Sequence, residues 1–243
     1  MRIPMAGLAA GVHDENERKC VKKTINIIIG LAVMVFARQM VQAQGTLTYL
    51  SNLGQPSTGS VPVGSDSWLA MQFATGHDTG GYLLDSIQLA MANASGNPNG
   101  FTVMVYEQPQ YAPGIVPGSS LGTLNGSANP STPGIYTYTP TSSLVLSPST
   151  IYFIVLASGT EVANGAYEWS VASAGTTSDN WEGWFASFDS NNSGSNWKRA
   201  PVIYGQYAIT ATPIPEPSSL WLLLLGSGIF IYARRYKFTS GIN

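Results

Sequence analysis

Alternation of apolar and polar residues dominates the middle of the chain. The stretches "SWLAMQFA", "DSIQLAMA" and "FTVMVYEQ" place apolar side chains at every second position, as with Leu69, Met71 and Phe73 in the first. A period of two is typical of half-buried strands. "TIYFIVLAS" is apolar on both faces, which predicts a central strand, and "AYEWSVA" and "VIYGQYAIT" are further predicted strands. This region has no amphipathic pattern of helix length.

Turn signals separate the predicted strands. Gly80-Gly81, Pro113-Gly114, Pro117-Gly118 and Pro133-Gly134 are the clearest of them. Many short strands joined by turns predict an all-β fold, with a single jelly-roll-like β-sandwich over residues 44–212. The stretch "TATPIPEP" that follows the last strand is predicted to be a linker.

Composition and charge restrict the classes of partner. Residues 44–212 contain nine acidic residues and only two basic ones, Lys198 and Arg199, so this region carries a net charge of −7. An acidic surface argues against a nucleic-acid partner, because phosphates require basic residues. The only cysteine, Cys20, lies outside the region, which therefore has no disulfide and no thiol chemistry. No cofactor is expected.

Residues 1–43 have the order of a leader followed by a secretory signal peptide. Four basic residues precede an apolar run at residues 25–37, and Val41 and Ala43 then form a V-x-A site. This order predicts a signal helix, passage through the secretion machinery, and cleavage by signal peptidase between Ala43 and Gln44. The alternative is a buried N-terminal helix.

Residues 213–243 form a tail with its own pattern. Residues 220–233 carry no charge, and as a helix they span about 21 Å, against a hydrocarbon core of about 30 Å. A transmembrane helix over about residues 219–233 is predicted, because flanking basic side chains can reach the membrane surface. The basic cluster Arg234, Arg235 and Lys237 predicts a cytoplasmic C-terminus. The alternative is a buried element of the domain.

The tail resembles the PEP-CTERM sorting signal of Gram-negative bacteria. Pro215, Glu216 and Pro217 precede the apolar helix, and Arg234-Arg235 follow it. The resemblance implies processing by an exosortase, which is a membrane cysteine transpeptidase or protease. It also implies a transient inner-membrane anchor, then delivery to the cell surface or to an extracellular matrix, as in a biofilm.

The body resembles the choice-of-anchor R domain of exported bacterial proteins. The resemblance rests on "AMQFATGHDTGGYLLDSIQLAM", "GFTVMVYEQ", "GSSLGTLNG" and "WKRAPVIYGQYAIT". It implies a β-rich extracellular module and assigns no catalytic residue.

Catalytic groups are scarce in the body. Its one histidine, His77, stands beside Asp78 in "TGHDTGG", with no glycine pattern of a nucleophile elbow. A carboxylate pair for sugar hydrolysis would come from Glu168, Asp179 and Glu182. Isolated surface acids are common, so we expect a non-enzymatic protein. A hydrolase is the weakest hypothesis, behind the two non-catalytic ones described next.

Aromatic residues crowd into one short region with acidic neighbours. Trp181, Trp184 and Trp197 lie close in sequence to Asp179. Exposed rings would stack on sugars while the carboxylate accepts hydrogen bonds from hydroxyls. Buried rings would instead close one end of the core. The first hypothesis is therefore a structural or adhesive surface protein, and the alternative is a carbohydrate-binding module for exopolysaccharide.

The stretch "FDSNNSGSNW" allows three interpretations. Asp189, Asn191 and Ser193 match the start of a calcium loop, but Ala200 stands where a bidentate Glu is required. Ser190, Asn192, Gly194 and Trp197 resemble an Asp-box hairpin in which Asn192 replaces the usual Asp. A polar hairpin turn is the default, and no metal is expected.

Overall fold

The computed structural model describes residues 45–109, 114–178, 181–183, 186–201 and 203–215. The chain divides into two compact units, Met1–Ala43 and Gln44–Asn243, and every described residue belongs to the second. The predicted signal helix and transmembrane helix lie outside the described residues. Within them, no helix is long and apolar enough to cross a membrane.

The described residues form antiparallel strands and one 3₁₀ turn, Val162–Asn164. The strands are β1 (Leu47–Ser51), β2 (Ser57–Val63), β3 (Trp68–Ala74), β4 (Tyr82–Met91), β5 (Ser95–Gly96), β6 (Thr102–Glu107), β7 (Ser120–Asn125), β8 (Gly134–Pro140), β9 (Val145–Leu146), β10 (Ile151–Ala157), β11 (Gly165–Ala172), β12 (Thr176–Ser178), β13 (Trp181–Gly183), β14 (Ser187–Ser190), β15 (Lys198–Arg199), β16 (Tyr204–Gly205) and β17 (Tyr207–Pro213). The predicted all-β class is confirmed.

The strands form a curled antiparallel sheet with two groups of pairings. In one group, β17 lies between β1 and β4, β4 also pairs with β8 and β9, and β11 pairs with β2 and β16. In the other group the order is β7–β6–β10–β3, and β13 and β14 both pair with β3. Strand β8 joins the groups, because its last residues pair with β7.

The main core confirms the predicted alternation. Ile87, Leu89 and Met91 of β4 are all buried, and they share one cluster with Val103 of β6 and Ile154 of β10. Strand β10 lies between β3 and β6, as its two apolar faces predict. Side chains from both groups of strands therefore enclose one core.

A second, smaller cluster covers the other face of β3, β6 and β10. Ala70, Met104, Phe153, Val155 and Phe188 are buried in it. Phe188 comes from β14, which pairs with β3 from Trp68 to Met71. Strand β3 is therefore buried on both faces, and even Gln72 is only 1% exposed.

Candidate functional site

The last strand leads directly into the predicted sorting motif. Strand β17 pairs with β1 through Ala211 and Leu47, and with β4 as far as Pro213 and Tyr82. The linker predicted to begin at Thr210 is therefore wrong in its first half, because the strand continues to Pro213. Extended pairing on both sides holds these residues in the sheet.

The chain is still hydrogen-bonded one residue beyond the strand. The backbone N–H of Ile214 donates to the carbonyl of Gly81 over 2.9 Å. Pro215, the first residue of the Pro-Glu-Pro motif, is exposed immediately after it. Glu216 and Pro217 lie outside the described residues, as do Arg234, Arg235 and Lys237. The cleavage site at Ala43 and Gln44 also lies outside them.

A cavity lies where the chain leaves β17. Its volume is ≈ 510 Å³. Three separate segments supply the walls: the start of β1, the turn before β4, and the end of β17. The lining residues are Gly45, Leu47, Tyr49, Asp78, Thr79, Gly80, Pro213, Ile214 and Pro215.

Tyr49 forms an aromatic wall of this cavity and is held from behind by the core. Its ring stacks on Trp181 with centroids 4.6 Å apart, and it meets Tyr82 edge-on at 5.2 Å. Burial and the nearby Asp78 carboxylate raise the pKa of the Tyr49 hydroxyl to about 12. The hydroxyl therefore remains protonated near neutral pH and can donate a hydrogen bond.

A second wall of the cavity is a hydrogen-bonded turn that contains Asp78 and Gly81. The N–H of Gly81 donates to the carbonyl of Asp78 over 2.8 Å, and the N–H of Asp78 donates to the hydroxyl of Tyr82 over 3.2 Å. Gly81 has φ +76°, and a Cβ there would lie 2.6 Å from the carbonyl oxygen of Leu146. Glycine is thus required for the turn that presents the exposed Asp78 side chain.

His77 makes a contact outside the cavity lining. Its Nδ1 lies 2.6 Å from the hydroxyl oxygen of Ser149, which has φ +49°. Both side chains are exposed. Among the described residues no carboxylate is hydrogen-bonded to His77, so the pair lacks the third member that orients a catalytic histidine.

The predicted aromatic cluster is divided between two environments. Trp181 is 1% exposed and contacts Tyr49, Tyr82 and Phe73 in the main core. This burial matches the alternative stated for the cluster, in which the rings close the core, and it leaves no face of Trp181 for a sugar. Trp184 and Asp179 lie outside the described residues.

Trp197 lies on the outer cluster. It is half-buried against that cluster together with Trp68 and Tyr106. The Tyr106 and Trp197 rings meet edge-on with centroids 6.4 Å apart. Trp197 thus remains partly accessible, next to an aromatic partner from a distant strand.

The loop between β14 and β15 is organised by Ser190 and Asn192. The Ser190 hydroxyl donates to Oδ1 of Asn192 over 2.9 Å and accepts from the N–H of Gly194 over 3.0 Å. Asn192 Oδ1 also accepts from the N–H of Asn196. Gly194 has φ +78°. These are the positions of the Asp-box resemblance, and the contacts favour a hairpin over a calcium loop.

Replacing Ser190 separates these two interpretations. Ser190 is 2% exposed, so Ser190→Ala leaves the partly buried N–H of Gly194 without its partner and should cost about 1 kcal/mol of unfolding free energy. Asn191→Ala, at an exposed position, should change stability by less than about 0.5 kcal/mol. Urea unfolding measures both.

Calcium provides the opposing outcome in the same experiment. A calcium-dependent rise in stability that Asn191→Ala or Ser193→Ala abolishes would contradict the hairpin interpretation. Among the described residues, no three His, Cys, Asp or Glu side chains are grouped as metal ligands. Asp189 instead lies opposite Lys198 in the β14–β15 pair.

The candidate hydrolytic carboxylates lie on different strands. Glu168 on β11 accepts a hydrogen bond from the Ser60 hydroxyl over 2.7 Å, and Glu182 is exposed on β13. The β11 and β13 strands belong to different groups of pairings. Asp179 lies outside the described residues.

Sequence reasoning missed the cavity. Tyr49 and Asp78 are 29 positions apart in the sequence, and no motif around either residue predicts that both line one cavity. The Gly80-Gly81 turn was the only local signal. The pairing of β17 with both β1 and β4 brings the three walls together.

Comparison with known proteins identifies the tail. Residues 213–237 match the PEP-CTERM protein-sorting motif. The motif implies secretion in a Gram-negative bacterium, a transient membrane anchor and exosortase as the processing partner. No curated protein matches the chain. No solved structure matches it either.

Proposed function

We propose that the protein is a non-catalytic, structural or adhesive component of the cell surface or extracellular matrix. The observation that carries this proposal is the sorting motif, whose match begins at Pro213, the last residue of β17. A folded β domain is thus joined directly to a segment that exosortase processes. The acidic, cysteine-free composition of residues 44–212 is compatible with life outside the cell.

The finer identity of the body is part of the same proposal. We regard the curled sheet as a jelly-roll-like sandwich of the choice-of-anchor R type. Its support is the shared core between the two groups of strands and the order of the quoted motifs along the chain. Biofilm exopolysaccharide is the proposed surrounding material.

A carbohydrate-binding module is the second candidate function. Trp68, Tyr106 and Trp197 are half-buried on the outer cluster, where their remaining exposed parts adjoin solvent. The exposed parts of these rings would provide apolar area for a sugar ring, whereas the indole Nε1 atoms of Trp68 and Trp197 are buried without a hydrogen-bond partner among the described residues. Because Trp181 is buried in the core, the sugar-binding surface predicted from the sequence lacks one of its rings. The second group of three half-buried rings remains a candidate for binding a sugar.

The sorting proposal is tested at Glu216. Glu216→Ala should abolish or strongly reduce release, because the carboxylate between two prolines is the charged part of the segment that exosortase recognises. The variant should accumulate in the inner membrane at higher mass. Cell fractionation and intact mass measure this.

The matched control is Glu161→Ala. Glu161 is an exposed glutamate whose side chain makes no capping hydrogen bond to the 3₁₀ turn. It should be released like the unaltered protein. Normal release of Glu216→Ala would show that the motif is not read in this chain.

A further inference from the structure

The cavity at the end of β17 has the chemistry of a small ligand site. Its volume of ≈ 510 Å³ lies within the range of about 300–1,000 Å³ that ligand pockets occupy. It combines an aromatic ring, apolar proline and leucine side chains, and a carboxylate. No basic side chain is among its lining residues, which disfavours an anionic ligand.

Contacts within the protein hold all three walls of the cavity in place without a ligand. Tyr49 is packed on Trp181 and Tyr82, and the turn that carries Asp78 is closed by the Gly81 N–H. The third wall is fixed by the hydrogen bond from Ile214 to Gly81. A preorganised site avoids the entropic cost of ordering its side chains on binding.

The two polar groups line the same cavity and remain available. The Asp78 carboxylate acts electrostatically on the Tyr49 hydroxyl. Among the described residues, neither side chain has a hydrogen-bond partner from another side chain. A carboxylate acceptor and a hydroxyl donor beside one aromatic ring suit a molecule with several hydroxyl groups and an apolar face.

We propose that this cavity binds a neutral saccharide, with a sugar ring against Tyr49 and sugar hydroxyls hydrogen-bonded to Asp78 and Tyr49. The site differs from the tryptophan cluster predicted from the sequence and from the half-exposed group around Trp197. It does not depend on how the protein is sorted. Failure to bind sugar would leave the result at Glu216 unaffected.

The test uses the exported protein and defined oligosaccharides. Isothermal titration with neutral gluco- and galacto-tetrasaccharides should detect binding with a dissociation constant of about 0.1–1 mM. A galacturonic acid tetramer should bind at least about tenfold more weakly, because its carboxylates meet Asp78 without a basic partner. Absence of binding to all neutral probes would overturn the proposal.

Variants locate the site. Asp78→Asn should weaken binding about tenfold, since a charged hydrogen bond is replaced by a neutral one. Tyr49→Phe keeps the ring and should weaken binding a few-fold. Thr79→Trp, on an exposed turn position, should fill the cavity and abolish binding while the melting temperature stays within a few degrees.

Trp197→Ala is the control for the outer cluster and should leave binding unchanged. Loss of binding in Trp197→Ala with normal binding in Asp78→Asn and Thr79→Trp would move the site to that cluster and overturn the proposal. The cavity also adjoins Pro215 of the sorting motif. Unchanged sugar binding in Asp78→Asn and Thr79→Trp, with impaired release, would instead make the cavity a contact for exosortase.

Discussion

Trp181→Ala should unfold a large part of the population at temperatures where the unaltered protein is stable. Trp181 is 1% exposed and packs on Tyr49, Phe73 and Tyr82. Removing a buried indole costs about 3–5 kcal/mol, against a total domain stability of about 5–15 kcal/mol. A domain of this size loses about 2–4 °C of melting temperature per kcal/mol, so thermal unfolding measures the effect directly.

Two variants serve as controls for the size of that effect. Trp181→Phe keeps an aromatic ring in the stack and removes an indole N–H that is buried without a hydrogen-bond partner among the described residues, so it should cost much less. Trp197→Ala should also cost less, because Trp197 is only half-buried. Equal losses in Trp181→Ala and Trp197→Ala would contradict the division between core and outer cluster.

The environment of the two tryptophans illustrates a limit of sequence reasoning. Trp181 and Trp197 are the same residue type in one aromatic-rich stretch, yet one lies in the main core and the other on the outer cluster. The difference arises because β13 pairs with β3 at Ala74, whereas Trp197 stands in the loop before β15. Those pairings are not local, so the pattern of the stretch alone could not separate the two sites.

The strands were predictable where one face is buried. The period of two correctly placed Ile87, Leu89 and Met91 in the core, because side chains alternate across a strand. The burial of Ala70 and Gln72 was not predictable in the same way. It depends on the pairing of β14 with the edge of β3, and Phe188 of β14 shares the outer cluster with Ala70.

The boundary between the β domain and the tail was also only partly predictable from the sequence. The stretch from Thr210 to Pro217 was predicted to be a linker, but β17 continues through Pro213. A proline is tolerated there because β1 pairs with β17 only as far as Ala211, so Pro213 has a paired strand on one side only. The sequence motif located the sorting segment correctly, and only the structure shows that Ile214 is still tied to Gly81.

The first and last described residues of the chain lie close to each other in the β domain. Gly45 and Pro215, the first and last described residues, both line the cavity beside the paired strands β1 and β17. Gly45 and Pro215 therefore lie at the same end of the β domain. The pairing of β1 with β17 holds these two ends of the described chain next to each other.

Asn52→Ala should weaken that pairing and destabilise the domain by about 2–4 kcal/mol. Asn52 is 2% exposed, and its Oδ1 accepts from the N–H of Tyr207 over 2.8 Å while its Nδ2 donates to the carbonyl of Gly205 over 3.0 Å. Alanine removes both bonds and leaves two buried backbone groups unpaired. Urea unfolding measures the loss, and amide exchange should become faster at Tyr207.

Thr48→Ala is the control, because Thr48 contacts Thr210 across the same two strands at an exposed position, 3.3 Å apart. It should cost under about 0.5 kcal/mol. A similar loss in both variants would show that the side chain of Asn52 has no special role in holding β1 to β17.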